Sequence, residues 1–227
     1  MSKILAMSDD GMMRVCMMPD PDAEDPRGLD CHVGTMWTRH PRYRLGDADQ
    51  HDATWGDVDR FADTILAHLA GDAVTAAIVK HVTRTHGATV VLPLYLFDHS
   101  GITVSAGAPL PSARERDPFR CDPGGWDTSY VGVIFDTNAS REMTGVHVAD
   151  VEAALRGEVA EYAAYLEGDV WAYEVEERVT EHHVVTRAGT VREYDVTSWE
   201  TVDSCAGLIG SACAEAEAMR ALKDATP

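Results

Sequence analysis

Lysine is scarce in this 227-residue chain: Lys3, Lys80 and Lys223 stand against sixteen arginines. With 23 aspartates and 15 glutamates the formal net charge is −19, so the clustered cations that grip a phosphate backbone are missing and direct nucleic-acid binding is not expected. No run approaches the ~18 consecutive apolar residues of a membrane-spanning helix. Asp9 and Asp10 interrupt the N-terminal apolar patch where a secretory signal would continue, so a cytoplasmic protein with no membrane partner is expected. The five cysteines (Cys16, Cys31, Cys121, Cys205, Cys213) are odd in number and contain no C-x-x-C pair. Free buried thiols are therefore expected, rather than a disulfide framework or a thiolate zinc site. Ten histidines are present, but His182 and His183 are adjacent and His81 and His86 are five apart, so neither pair matches a zinc spacing. No G-x-S-x-G, P-loop or G-x-G-x-x-G occurs. No motif names a catalytic chemistry or a cofactor.

What is present reads as a folded chain. Apolar residues make up 45% and charged ones 25%, enough to build a core over this length. Lys3–Ser8 and Met12–Met18 flank Asp9-Asp10-Gly11 as a hairpin, Pro19–Asp30 reads as an exposed loop, and His32–Thr38 as a strand before the polar turn Arg39–Asp49. From Thr54 the residues Trp55, Val58, Phe61, Ile65 and Leu69 share one helical face, and Gly71 ends that helix before a second over Ala73–His86. Val90–Phe97 is apolar almost without alternation, the pattern of a strand covered on both faces, with Pro93 at an edge, bulge or start. Ile102–Ser105 continues as a strand, and Ala106–Gly125 is a long proline- and glycine-rich loop. Tyr130–Phe135 is a strand, Asp150–Leu166 a helix and Asp169–Val179 a half-buried strand. His182–Thr186 and Val191–Val196 form a hairpin about Ala188-Gly189, and Ser211–Lys223 is a final helix. Strands and helices cluster rather than alternate, so one α+β domain over residues 1–227 is expected, with a mixed or mostly antiparallel sheet and about four helices.

Several stretches carry a resemblance. They are Gly34-Thr35-Met36-Trp37 with Arg42–Asp47; Leu92-Pro93-Leu94-Tyr95-Leu96-Phe97-Asp98-His99-Ser100-Gly101-Ile102-Thr103; Trp126-Asp127-Thr128-Ser129-Tyr130-Val131-Gly132; Gly157-Glu158-Val159 with Tyr162, Tyr165, Leu166 and Gly168-Asp169-Val170; and Asp203-Ser204-Cys205 with Gly207. In this order they resemble an uncharacterised family of small phage and prophage proteins. The chain departs from that pattern at Ala206, where the family has Trp, and at the apparent insertions Arg114–Asp117 and Thr180–Glu193. The resemblance implies a phage or mobile-element context and no established activity.

Two functional expectations follow. The first is a non-enzymatic accessory protein that binds a host or phage protein, in anti-defence for example, through an acidic surface. Glu158 and Glu161 give one helix an anionic outer face, with carboxylates ~5–6 Å apart as in phosphate mimicry. The second is a small hydrolase-like or metal-assisted enzyme with Asp98, His99 and Asp127 as catalytic candidates, in which histidine takes a proton and a carboxylate orients it. Trp126 and Ser100 are binding candidates beside them, with Trp126 placed either at a pocket rim or as a core plug. Asp203, with Cys205 nearby, is a further candidate. Asp98 and His99 are neighbours in a strand and point to opposite faces unless the chain bends there.

Overall fold

The computed structural model describes residues 2–29, 31–38, 40–47, 72–108, 119, 121–122, 125–187 and 190–226, with backbone alone at 72–77. The helix expected from Thr54 to Leu69 with its stop at Gly71, most of the Ala106–Gly125 loop, and the Ala188-Gly189 turn lie outside the described residues. In chain order the elements are strands β1 (Lys3–Met7), β2 (Met13–Pro19) and β3 (Gly34–Thr38), then helix α1 (Asp72–His86). Strands β4 (Val91–Asp98), β5 (Ile102–Ala106) and β6 (Thr128–Asp136) follow, then helices α2 (Asn138–Thr144) and α3 (Val151–Leu166). Strands β7 (Val170–Arg187) and β8 (Thr190–Ile209) and helix α4 (Ser211–Ala225) close the chain. The strands form two four-stranded antiparallel sheets, β1-β2-β7-β8 and β3-β6-β4-β5, so the fold class is α+β. The chain divides into two compact units, Asp25–Glu167 and Met1–Glu24 with Gly168–Pro227.

The Asp25–Glu167 unit has its sheet covered on both faces. Leu92, Leu94 and Leu96 of β4 meet Leu155, Val159 and Tyr162 of α3, while Val91 packs with Ile78 and Val82 of α1 and with Trp37, Val133 and Phe135. Period-two side chains with apolar cover on each side need no polar alternation, which is why Val90–Phe97 reads as a continuous apolar run. Pro93 sits just before the ladder to β5 begins at Leu94↔Ala106, and next to the register shift between Leu94 and Tyr95 against β6. Its missing N–H is tolerated at that end and bulge. Gly132 has φ 153°, and a Cβ there would lie 2.0 Å from the Trp37 carbonyl oxygen, so β3 can approach β6 only if this residue is glycine.

A buried cation ties this unit together. Pro26–Gly28 forms a single 3-10 turn, capped where the Asp25 carboxylate accepts from the Arg27 N–H at 2.8 Å. The turn delivers the Arg27 side chain, 2% exposed, to the interior. Its Nε donates to Asp47 Oδ1 at 2.8 Å, its Nη1 to Glu158 Oε2 at 3.0 Å and its Nη2 to the Gly34 carbonyl at 2.7 Å. Asp47 Oδ2 also accepts from the Met36 N–H at 2.8 Å. Glu158 accepts from the N–H groups of Val33 at 2.6 Å and Gly34 at 3.0 Å.

This geometry corrects two expectations. Pro19–Asp30 is not an exposed loop throughout, because its Pro26 and Arg27 are buried. Glu158 does not belong to an outer anionic face, since it turns inward to Arg27 and to the start of β3. Glu161 is exposed as expected, and Glu152 spends its charge on Arg156 at 2.9 Å.

In the other unit, Ala214, Ala218, Ala221 and Leu222 of α4 pack on Met13, Val15, Met17, Tyr173 and Val175. The strands expected separately at Asp169–Val179 and His182–Thr186 are one 18-residue strand, paired along its length with the 20-residue β8. All five cysteines are free, but only Cys16 is buried, so the burial expected of the others does not hold.

Replacing Arg27 with Met should strand two carboxylates in a half-buried site. We expect about 3–5 kcal/mol of lost stability by denaturant unfolding, the scale for breaking a buried pair. Glu161→Gln, on the open face of the same helix, should stay within about 0.5 kcal/mol.

Candidate functional site

The exit of β4 and the entry of β6 are clamped side by side. The Asp98 N–H donates to the Asp127 carbonyl at 2.9 Å and the His99 N–H to the Gly101 carbonyl at 3.1 Å, closing the β4–β5 turn. Ser100 sits in that turn with φ 61°, a left-handed conformation that costs a non-glycine residue about 1–3 kcal/mol and recurs at functional sites.

The bend separates the two neighbouring side chains. His99 Nδ1 lies 2.8 Å from Asp127 Oδ2, and its ring stacks on Phe97 with centroids 6.0 Å apart. Asp98 instead binds the Arg42 guanidinium and receives the Tyr43 hydroxyl 3.3 Å from each of its oxygens. His40 stacks on Tyr43 at 4.9 Å. Burial, with the nearby Arg42 charge, lowers the His40 pKa and Asp98 partly opposes this, so the ring stays neutral to lower pH. Asp98, His99 and Asp127 therefore come together through backbone and side-chain bonds, yet only His99 and Asp127 form a pair. Arg42, Tyr43 and His40 were not singled out by residue chemistry; Arg42 and Tyr43 were visible only as part of a stretch carrying the resemblance.

Trp126 stands beside this pair and is 90% exposed, so it is not a core plug. Its backbone is nevertheless fixed. Buried Asp122 accepts from the N–H of Trp126 at 3.0 Å, from that of Asp127 at 2.9 Å and from Thr128 Oγ1 at 2.8 Å. Burial alone would raise the Asp122 pKa, but the Thr128 hydroxyl and the backbone donors outweigh it and the carboxyl titrates below its ordinary value. No sequence signal distinguished Asp122 from the acidic residues around it.

Phe97 connects the pair to a cavity. Its ring packs on Phe119 with centroids 5.4 Å apart, and both line an open cleft of about 640 Å³ between β5 and α3. Val159, Ala160 and Ala163 form its apolar wall. Arg156, on the same wall, is committed to Glu152 and to the carbonyls of Ala106 and Gly107 at 3.2 and 3.1 Å. Asp98, His99 and Asp127 do not line the cleft. Among the described residues, no group of three or more His, Cys, Asp or Glu side chains is placed to hold a metal ion.

Asp203 and Cys205 lie on β8 of the other unit, exposed and opposite Val175 and Tyr173 respectively. No protein-family model, curated protein or solved structure matches the chain.

Because the Asp122 pKa is depressed, its contribution to the turn is present above the ordinary aspartate value and is lost as pH falls through the lower native value. In a carbon-detected NMR titration we expect the Asp122 carboxyl to titrate below ordinary aspartates. Thr128→Val should move it upward, and an unchanged midpoint would remove this account of the turn.

Proposed function

We propose that the chain is a binding protein of a phage or mobile element, cytoplasmic in its host cell, that engages a protein partner through the surface formed by Trp126, His99, Asp127 and the cleft behind Phe97. The observation that carries the reading is a tryptophan displayed to solvent on a backbone held by two N–H bonds to a buried carboxylate, which also accepts from the Thr128 hydroxyl. Tryptophan is among the side chains that anchor protein interfaces, and a fixed backbone reduces the ordering cost of binding. The cleft lined by Phe97, whose ring stacks on His99, suits one apolar side chain of the partner. The net charge of −19 favours a basic partner and steers its approach. Glu161 belongs to the exposed charge that would do so; Glu158 does not, because it holds Arg27. A host defence factor with a basic surface fits this description.

The 2.8 Å His99–Asp127 contact favours a second reading, a small hydrolase-like or metal-assisted enzyme in which His99 takes a proton and Asp127 orients it. Asp98 would have a positioning role there, since Arg42 and Tyr43 already hold its carboxylate.

Affinity capture from host lysate, followed by titration of the purified partner, tests the first reading. We expect Trp126→Ala to weaken the complex at least about tenfold while leaving the fold intact, and affinity to fall as salt rises. A partner insensitive to both would contradict it. His99→Gln separates the readings, because it should abolish turnover of a model ester only if the pair is catalytic.

A further inference from the structure

The long hairpin of the β1-β2-β7-β8 unit has an unpaired edge whose chemistry suits another copy of itself. β2 pairs with β7 only from Met13↔Glu177 to Pro19↔Trp171. Beyond that, among the described residues, Arg178–Arg187 and Thr190–Trp199 pair only with each other, ten unbroken residue pairs and roughly 33 Å of two-stranded ribbon. Such a ribbon is marginally stable in water, and a third or fourth strand stabilises it.

The ribbon exposes apolar side chains among charged ones. Directly opposed residues share a face, so Val179, Val185, Tyr194 and Val196 lie on one face together with Glu181, His183, Arg187 and Arg192, and Val185, Tyr194 and Val196 are each at least 41% exposed. Edges are commonly guarded by Lys or Pro, and β8 has neither across Thr190–Ile209. Among the described residues no strand lies along its outer edge.

Charge then selects the occupant and the register. Two copies of a chain with net charge −19 repel in general. The ribbon is locally neutral, with Arg178, Arg187 and Arg192 against Glu181, Glu193 and Asp195. In an antiparallel pairing of β8 with β8 about a two-fold axis, placing the axis at Asp195 sets that carboxylate against itself. Placing it at Tyr194 sets Glu193 against Asp195. With the axis at Val196, Arg192 faces Glu200 of the second copy twice, and Val196 faces Val196. Among the described residues neither Arg192 nor Glu200 makes an ion pair within its own chain. We infer that the chain forms a two-fold dimer by edge-to-edge pairing of β8, centred on Val196 and held in register by two Arg192–Glu200 pairs.

Sedimentation equilibrium of the full chain tests this directly, with far-UV circular dichroism confirming that each variant keeps its strand content. We expect a monomer–dimer equilibrium with Kd in the micromolar range. Arg192→Glu and Glu200→Arg should each raise Kd at least about tenfold, by setting like charges opposite one another. The double variant Arg192→Glu/Glu200→Arg should return to within about threefold of the starting value. A chain that stays monomeric to about 1 mM, or a dimer whose Kd ignores the single changes or is not restored by the swap, overturns the proposal.

Discussion

Much of the Asp25–Glu167 unit hangs on one buried guanidinium. A cation removed from water is tolerated only when its donors and its charge are answered, and Arg27 is answered by Asp47, Glu158 and the Gly34 carbonyl. Each carboxylate then uses its remaining oxygen capacity on backbone N–H groups at the start of β3. The residues that contribute come from a short 3-10 turn, from β3, from the segment ahead of α1 and from the middle of α3. One side chain thus ties its own turn to three other pieces of chain, 7, 20 and 131 residues away in sequence, and it does so by directional bonds that apolar packing alone does not supply.

The same device recurs on a smaller scale at the candidate site. Asp122 collects the donors of the turn before β6 much as Glu158 collects those before β3. Asp136 does so at the end of that strand, where it accepts from the N–H groups of Thr89 and Val90 at 2.8 and 2.7 Å and meets Arg141. Buried carboxylates therefore hold the loops at both ends of β6. This is one use of an acidic composition that has nothing to do with the surface. It also explains why Trp126 can be exposed without being loose: its position is set from beneath by its backbone, not by packing of its ring.

The apolar framework was legible in the sequence because periodicity reports burial. Val90–Phe97 and the face of α3 through Val151, Leu155, Val159 and Tyr162 follow it closely. The polar framework was not legible, because an aspartate that accepts three inward bonds and one that faces water are the same letter. Glu158 reads as surface for that reason, although it lies three residues after buried Leu155 and beside buried Val159. Arg27 was hidden in a segment whose prolines and acids suggest a loop, and only the proline-initiated turn reveals that the arginine is buried. The extent of β7 and β8 was missed because their outer halves are exposed on both sides, so burial leaves no period to read. Of the site, Asp98, His99, Ser100, Trp126 and Asp127 are legible in the sequence, whereas Asp122 beneath them is not.

The exposed segment Trp126-Asp127 is held rigid by hydrogen bonds to the buried Asp122 carboxylate. Backbone ¹⁵N relaxation of the free protein measures that most directly at the N–H groups of Trp126 and Asp127. We expect order parameters near the value of rigid strands, about 0.85, despite the exposure of the indole. Values below about 0.6 at both sites, typical of a flexible loop, would contradict it.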